Sequence, residues 1–190
     1  HPDHIGGLLP LLFYRKLNNI ESTLTIIGPP NLGTYIADSF QHTGIENNQN
    51  LEIINIANNK EVQLSSVIGL IAMEMEHKIP CWGYALRDGN RKLVFVTDTL
   101  SNANTVKLAE KADVLIHEAY SNIGWLEYSP AWRKYHAAFH TSAGDLGLLA
   151  KRAKPKLLVI HHILRTTEGL LDEVQQEFSG DVTIANDLDI

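Results

Sequence analysis

His1-Pro2-Asp3-His4-Ile5-Gly6-Gly7-Leu8 opens the chain with two imidazoles and a carboxylate inside four residues. Such side chains supply nitrogen and oxygen ligands that suit zinc and similar first-row ions. The glycine pair lets the backbone turn tightly, so a following helix can start close to such a site. Taken alone, the stretch reads equally well as a polar turn or the scar of a terminal tag. Three apolar runs further along decide between these readings. One ends in His77, just before Lys78-Ile79-Pro80. A second, Leu93-Val94-Phe95-Val96-Thr97, runs into Asp98, and a third, Leu157-Leu158-Val159-Ile160, runs into His161 and His162. Ligands at strand ends are held rigidly by the core, and strand ends are where α/β folds build their sites. A single strand-terminal His is ordinarily a polar residue facing water, but recurrence at several strand ends favours a metal site.

The 190 residues and 21.2 kDa suit one domain, spanning 1–190, or most of one. With 44% hydrophobic and 20% charged residues, a packed core is expected and wholesale disorder is not. The sequence has no apolar run long enough to span a membrane and no signal-peptide pattern at His1. Cys81 is the single cysteine, which excludes an internal disulfide and an all-cysteine zinc site and fits a cytoplasmic protein. A net charge of −6 argues against a surface coated with phosphate contacts, though not against a phosphate-bearing substrate held locally by metal ions. A start on His-Pro-Asp-His, with no initiator Met, suggests a chain that begins in mid-domain.

The pattern predicts a helix over residues 5–17, a strand over 22–27 stopped by Gly28-Pro29-Pro30, and a helix capped by Asn31 that runs to about Gln41. Further strands are expected over 51–56, 67–77 and 83–86, with Asp88-Gly89-Asn90 turning the last into a hairpin with residues 92–97. From there strands and helices alternate: helix 102–112, strand 114–116, helix 142–153, strand 156–160, helix 167–178 and strand 182–185. This is α/β layering with covered sheets. Trp82, Tyr84, Trp125 and Trp132 could line a pocket or serve a core or oligomer contact. His42 and His136 read as surface residues.

The order of motifs resembles the metallo-β-lactamase-fold hydrolases, and within them the ribonuclease Z branch. His1-Pro2-Asp3-His4 resembles the tail of the His-x-His-x-Asp-His motif, and Leu24-Thr25-Ile26-Ile27-Gly28-Pro29 is similar to that branch's strand into Gly-Pro. His77-Lys78-Ile79-Pro80 resembles its His-x-Ile-Pro segment. Thr97-Asp98-Thr99 is similar to Gly-Asp-Thr, with Thr97 in the glycine's place. His117-Glu118-Ala119-Tyr120 resembles His-Glu-Ala-Thr, His140-Thr141-Ser142 resembles His-Ser-Thr, and Ile160-His161-His162 resembles the final metal motif. The resemblance implies an αββα sandwich, here expected to lack its N-terminal strands.

It also implies two divalent metal ions, zinc first, with manganese or iron accepted by the same ligands. Asp98 would be shared, His1 and His77 would complete one site, and Asp3, His4 and His162 the other. Asp3 would also orient or deprotonate the attacking water, and His140 would protonate the leaving oxygen, with Glu118 hydrogen-bonded to it. His117 and His161 are expected to support ligands rather than bind metal. The implied activity is phosphodiester hydrolysis of a small molecule or RNA. Alternatives are tRNA 3′-processing proper, thioester or sulfate-ester hydrolysis, and a non-catalytic truncated scaffold subunit. The branch is commonly dimeric. Two departures bear on substrate. Only a tight turn separates Leu86 from Leu93, where many ribonuclease Z enzymes insert a tRNA-gripping arm, and Leu164-Arg165 replaces the expected Ser and Arg-Tyr.

Overall fold

The computed structural model describes residues 1–44, 50–56, 59–164 and 166–188, so Arg165 lies outside the described residues. The chain divides into two compact units, His1–Ala57 and Asn58–Ile190.

In the first unit, α1 (Pro2–Ile5) is a single turn, followed by α2 (Leu8–Leu17). The main helix thus begins at Leu8, three residues later than the sequence pattern predicts, and is preceded by a separate turn. Pro2 at the first position of that turn presets a helical φ, and Asp3 sits within it, where negative charge favours the helix dipole. Strand β1 (Leu24–Gly28), helix α3 (Leu32–Thr43) and strand β2 (Leu51–Asn55) form a parallel β-α-β unit, with Ile26 opposite Ile53. Asn31 occupies the N-cap position of α3 but makes no side-chain cap bond there. Leu12, Leu32, Ile36 and Phe40 form the small core.

The second unit is built on a seven-stranded mixed sheet, ordered along the chain. Strands β3 (Glu61–Gln63), β4 (Ile68–Met75), β5 (Cys81–Asp88) and β6 (Arg91–Val96) run antiparallel. The β5–β6 connection is the expected tight turn, with Gly89 at φ 57°. Strands β7 (Val114–Ala119), β8 (Leu157–Ile163) and β9 (Asp181–Ile184) continue the sheet in parallel. Helix α4 (Ala103–Ala109) connects β6 to β7. A 3-10 turn (Gly124–Glu127), α5 (Pro130–Phe139) and α6 (Ala143–Ala153) connect β7 to β8, and α7 (Leu170–Gln175) leads to β9.

One face of this sheet carries Val94, Val96, Leu115, Leu158 and Ile160, all at 0% exposure, and α4, α6 and α7 pack over it through Leu108, Leu146, Leu149, Leu170 and Val174. Burying each such side chain contributes about 1.5–3 kcal/mol. Register puts Phe95, Ile116 and Val159 in one row on the opposite face, and Phe95 remains 43% exposed. Two helix starts are closed as their sequences suggest: Asn102 accepts from the Thr105 amide and Ser142 from the Asp145 amide.

Elements β3, α5 and the 3-10 turn were not expected from the sequence pattern. Helix α7 is shorter than expected because Gly169, at φ 70°, holds a conformation no helix interior allows. Strands β7 and β8 are longer than expected and carry His117, Glu118, His161 and His162 inside them.

Candidate functional site

The first unit's candidates cluster locally. His1 is the N-cap of α1, and Asp3 and His4 lie within its turn, not on a loop before it. The Asp3 Oδ2 and His4 Nε2 atoms are 3.3 Å apart, and all three residues are exposed.

In the second unit, the ends of four strands bring His77, Asp98, Glu118 and His162 together, and the end of α5 adds His140. His77 follows β4, and its Nδ1 lies 2.8 Å from the Phe139 carbonyl oxygen. A carbonyl can only accept, so Nδ1 donates its hydrogen there and Nε2 is the nitrogen left to face the site. That Nε2 faces Asp98 Oδ2 at 3.6 Å, and the other carboxylate oxygen, Oδ1, faces His162 Nδ1 at 3.3 Å. Imidazole nitrogens converging on a buried carboxylate form the donor set of a divalent metal, with the far nitrogen of His77 fixed by a backbone carbonyl as metal-bound histidines commonly are. The residues present therefore fit a metal ion.

Two backbone features aim this set. Asp98 has φ 41° and His162 φ 46°, both left-handed, where L-residues cost energy and persist when the surroundings enforce them. The register between β7 and β8 shifts here: Glu118 pairs with His161 but Ala119 pairs with Ile163, so His162 is the extra residue of a bulge. A bulge re-aims one side chain without ending the strand. His161 stays in the ladder, its ring 4.7 Å from Phe95, while His162 turns toward Asp98.

Glu118 is fully buried and uses both oxygens. Oε1 accepts the Thr99 amide at 2.6 Å, and Oε2 faces His140 Nδ1 at 2.8 Å. Burial alone would raise its pKa, but the hydrogen bond with His140, and His162 beyond it, hold the carboxyl down to about 2. His140 closes α5 and is held in place because Thr141 Oγ1 donates to the Thr99 carbonyl and the Tyr120 amide to the Thr141 carbonyl. Ser142 caps the start of α6, so the His140 side chain is not needed there. Asp98, Glu118 and His140 offer ligand-type atoms all within 4.8 Å of one another.

His117 points the other way. It pairs in register with Val96 and Ile160 on the helix-covered face and is fully buried. Its Nδ1 lies 2.7 Å from the Glu118 carbonyl, and burial lowers its pKa, so it stays neutral.

His136 is a correction to the sequence reading. It is buried, not on the surface, because α5 turns it inward among Tyr120, Tyr128, Trp132 and Tyr135. Its signal was present in the sequence: Trp132, His136 and His140 recur at four-residue spacing, which is one face of a helix. His42 is exposed as expected.

The model of the β-lactamase superfamily domain matches residues 1–163, which run through both units. The chain belongs to this family. Among its relatives, the ribonuclease Z of Limosilactobacillus reuteri is 24% identical and aligns with 100% of this chain and 77% of its own length. Among solved structures, the metallo-β-lactamase fold protein YhfI from Bacillus subtilis superposes with a TM-score of 0.75 at 23% identity, covering 98% of this chain and 71% of that one. The human short-form tRNase Z superposes with a TM-score of 0.71 at 23% identity, covering 100% and 74%. The metallo-β-lactamase fold and the likeness to the ribonuclease Z branch are thus borne out, and with them the reading of a metal-dependent hydrolase. No helix among the described residues is long and apolar enough to cross a membrane.

Proposed function

We propose that the chain is a dinuclear metal-dependent phosphodiesterase of the ribonuclease Z kind, acting on RNA or a smaller phosphodiester. The observation that carries this reading is the buried His140–Glu118 pair set beside the His77, Asp98 and His162 cluster. It joins a metal donor set to a proton-handling imidazole, which is what phosphodiester hydrolysis requires.

His1, His77 and Asp98 would hold one ion, and Asp3, His4, His162 and the shared Asp98 the second, with zinc preferred and manganese or iron accepted. When bound, such ions supply an acidified water and positive charge for the phosphoryl oxygens. The chain's own groups do the rest. Asp3 orients the attacking water and takes up its proton. As the water oxygen bonds to phosphorus, the bond to the leaving oxygen breaks, and His140 hands that oxygen a proton from Nε2. Glu118 keeps Nδ1 as the N–H bearing nitrogen, so Nε2 is the one turned to the substrate. His117 and His161 bind no metal and pack within the strands that carry these residues.

The reading includes a single domain across both units, supported by a family match that runs through their boundary. It includes a cytoplasmic location, in keeping with the lone Cys81, and a homodimer, supported by Leu11, Phe13, Tyr14 and Leu17 left exposed on α2.

Metal analysis combined with bis(p-nitrophenyl) phosphate hydrolysis tests the proposal. About two equivalents of metal are expected, with turnover lost in both His140→Ala and Asp98→Ala. Tight metal binding without turnover of this diester or of a pre-tRNA would overturn it. The pre-tRNA also separates tRNA processing from action on other diesters.

A further inference from the structure

Helix α5 carries a strip of rings of which the hydrolytic chemistry uses only the last, His140. Trp132 is 56% exposed, and its ring meets Tyr135 edge-on at 5.7 Å and His136 at 5.7 Å. Tyr135 is half-buried, tilted against Phe139 at 5.1 Å and His140 at 6.0 Å. The strip therefore begins at an exposed indole and ends at the imidazole that would protonate the leaving oxygen. Eight residues of helix separate its ends, or about 12 Å.

Its charge differs from that of the whole chain. The protein is acidic, at −6, yet no Asp or Glu occurs from Tyr128 to Ser142, while Arg133 and Lys134 lie within that stretch. Lys78, next to His77, places its ammonium 5.4 Å from the centre of the Tyr135 ring. An exposed and a half-buried aromatic ring among cations, in a chain of net negative charge, match the recognition of single-stranded nucleic acid, in which bases stack on rings and cations track the phosphates.

The rigidity of the strip fits this use. Trp132 is anchored at the first turn of α5, where the Ser129 hydroxyl accepts its amide hydrogen and Pro130 fixes the helix start. His136 beneath it is buried between Tyr128 and Tyr120, so the indole rests on a packed aromatic floor. A ring held in this way loses little freedom when a base stacks on it.

We propose that Trp132 and Tyr135 form a stacking platform for a nucleobase on the leaving-group side of the scissile phosphate, with Lys78 beside it for the adjoining phosphate. This inference rests on the phosphodiesterase reading and deepens it. It makes the substrate a base-bearing, single-stranded phosphodiester.

The test compares two end-labelled single-stranded oligoribonucleotides of equal length, one with natural bases and one abasic on the leaving-group side. Binding to the full metal-loaded chain is followed by fluorescence anisotropy, and cleavage is followed separately. The natural strand should bind at least about fivefold tighter than the abasic one. Trp132→Ala should collapse that ratio toward one, and Trp132→Phe should retain most of it, which excludes a folding defect as the cause. Lys78→Gln should weaken both strands alike. An equal affinity of the wild-type chain for the two strands, or a ratio unchanged in Trp132→Ala, would overturn the platform even if both strands are cleaved. Base-dependent binding with no cleavage of either strand would instead refute the phosphodiesterase reading, and with it a platform defined by a leaving group.

Discussion

His140 Nδ1 and Glu118 Oε2 lie 2.8 Å apart, and both side chains are buried. The opposite oxygen of the same carboxylate accepts the Thr99 amide. One side chain thus fixes both the imidazole and the turn that carries Asp98. A group shared in this way makes its neighbours act as a unit.

The first prediction follows from that sharing. His140→Ala should lower kcat for a phosphodiester by about 10²–10⁴, the usual contribution of a positioned proton donor. Glu118→Gln keeps only one acceptor oxygen, so either His140 or the Thr99 amide loses its partner. We expect a loss of activity together with about 1–3 kcal/mol of stability. The double variant should be no slower than His140→Ala alone, because the carboxylate acts on proton transfer through the imidazole. Steady-state kinetics and urea unfolding on the four proteins decide the point. Additive losses in kcat would show that Glu118 acts independently.

The adjacent histidines offer a second prediction. His162, projected from the bulge, faces Asp98, whereas His161 remains in the ladder against Phe95. Loss of an outer partner costs about 10–100-fold in metal affinity. We therefore expect His162→Ala to weaken metal binding by more than about a hundredfold and His161→Ala to leave it nearly intact. Competition against a chromogenic chelator measures both. Equal losses would mean that the bulge does not choose the ligand.

This pair also shows where the sequence stops being legible. Apolar runs ending in His77, Asp98 and His162 announced the strand-end cluster, because a buried strand needs such a run and a ligand at its end breaks it. The choice of His162 over His161 came from the motif's register, since alternation cannot foresee an extra residue in one strand. The left-handed φ at Asp98 and His162 has no marker either, as neither position holds glycine. The buried face of α5 is aromatic and imidazole, not aliphatic, so its helical period hides from a hydrophobicity count. The burial of His136 hides for the same reason. Strand β3, at three residues, is too short to show a period.

The packing of α6 on α7 supports a third prediction. A Cβ at Gly147 would sit 2.6 Å from the Val174 carbonyl oxygen and 2.9 Å from the Glu177 Cβ. Backbone cannot yield as a flexible side chain does, so the helices would have to separate. Gly147→Ala should destabilise by about 1–3 kcal/mol despite alanine's better helix propensity. Gly144, on the same helix with open space around its Cβ position, is the control, and Gly144→Ala should be neutral or stabilising. Urea midpoints of the two variants should move in opposite directions or differ by that margin. Similar midpoints would mean that the α6–α7 contact is loose.

The last prediction concerns the loop that leads from β7 toward the aromatic strip. Glu173 on α7 accepts from Ser121 Oγ at 2.7 Å, Asn122 N at 3.0 Å, Asn122 Nδ2 at 2.9 Å and Ile123 N at 3.1 Å. Partial burial alone would raise its pKa, but these donors outweigh burial and lower it. A carboxyl with a depressed folded pKa contributes stability that is complete above its unfolded value, about 4.3, and fades as pH falls through the lower folded value. Glu173→Gln lacks that contribution and presents an amide N–H₂ to donors. At pH 7 the variant should be less stable by about 1 kcal/mol, because solvent reaches the group and screens part of the effect. Below pH 4 the wild-type advantage should shrink as its carboxylate takes up a proton. Paired urea titrations across this range measure the difference directly. A gap that stays constant down to pH 3 would mean that the charge of Glu173 contributes nothing and only its shape holds the loop.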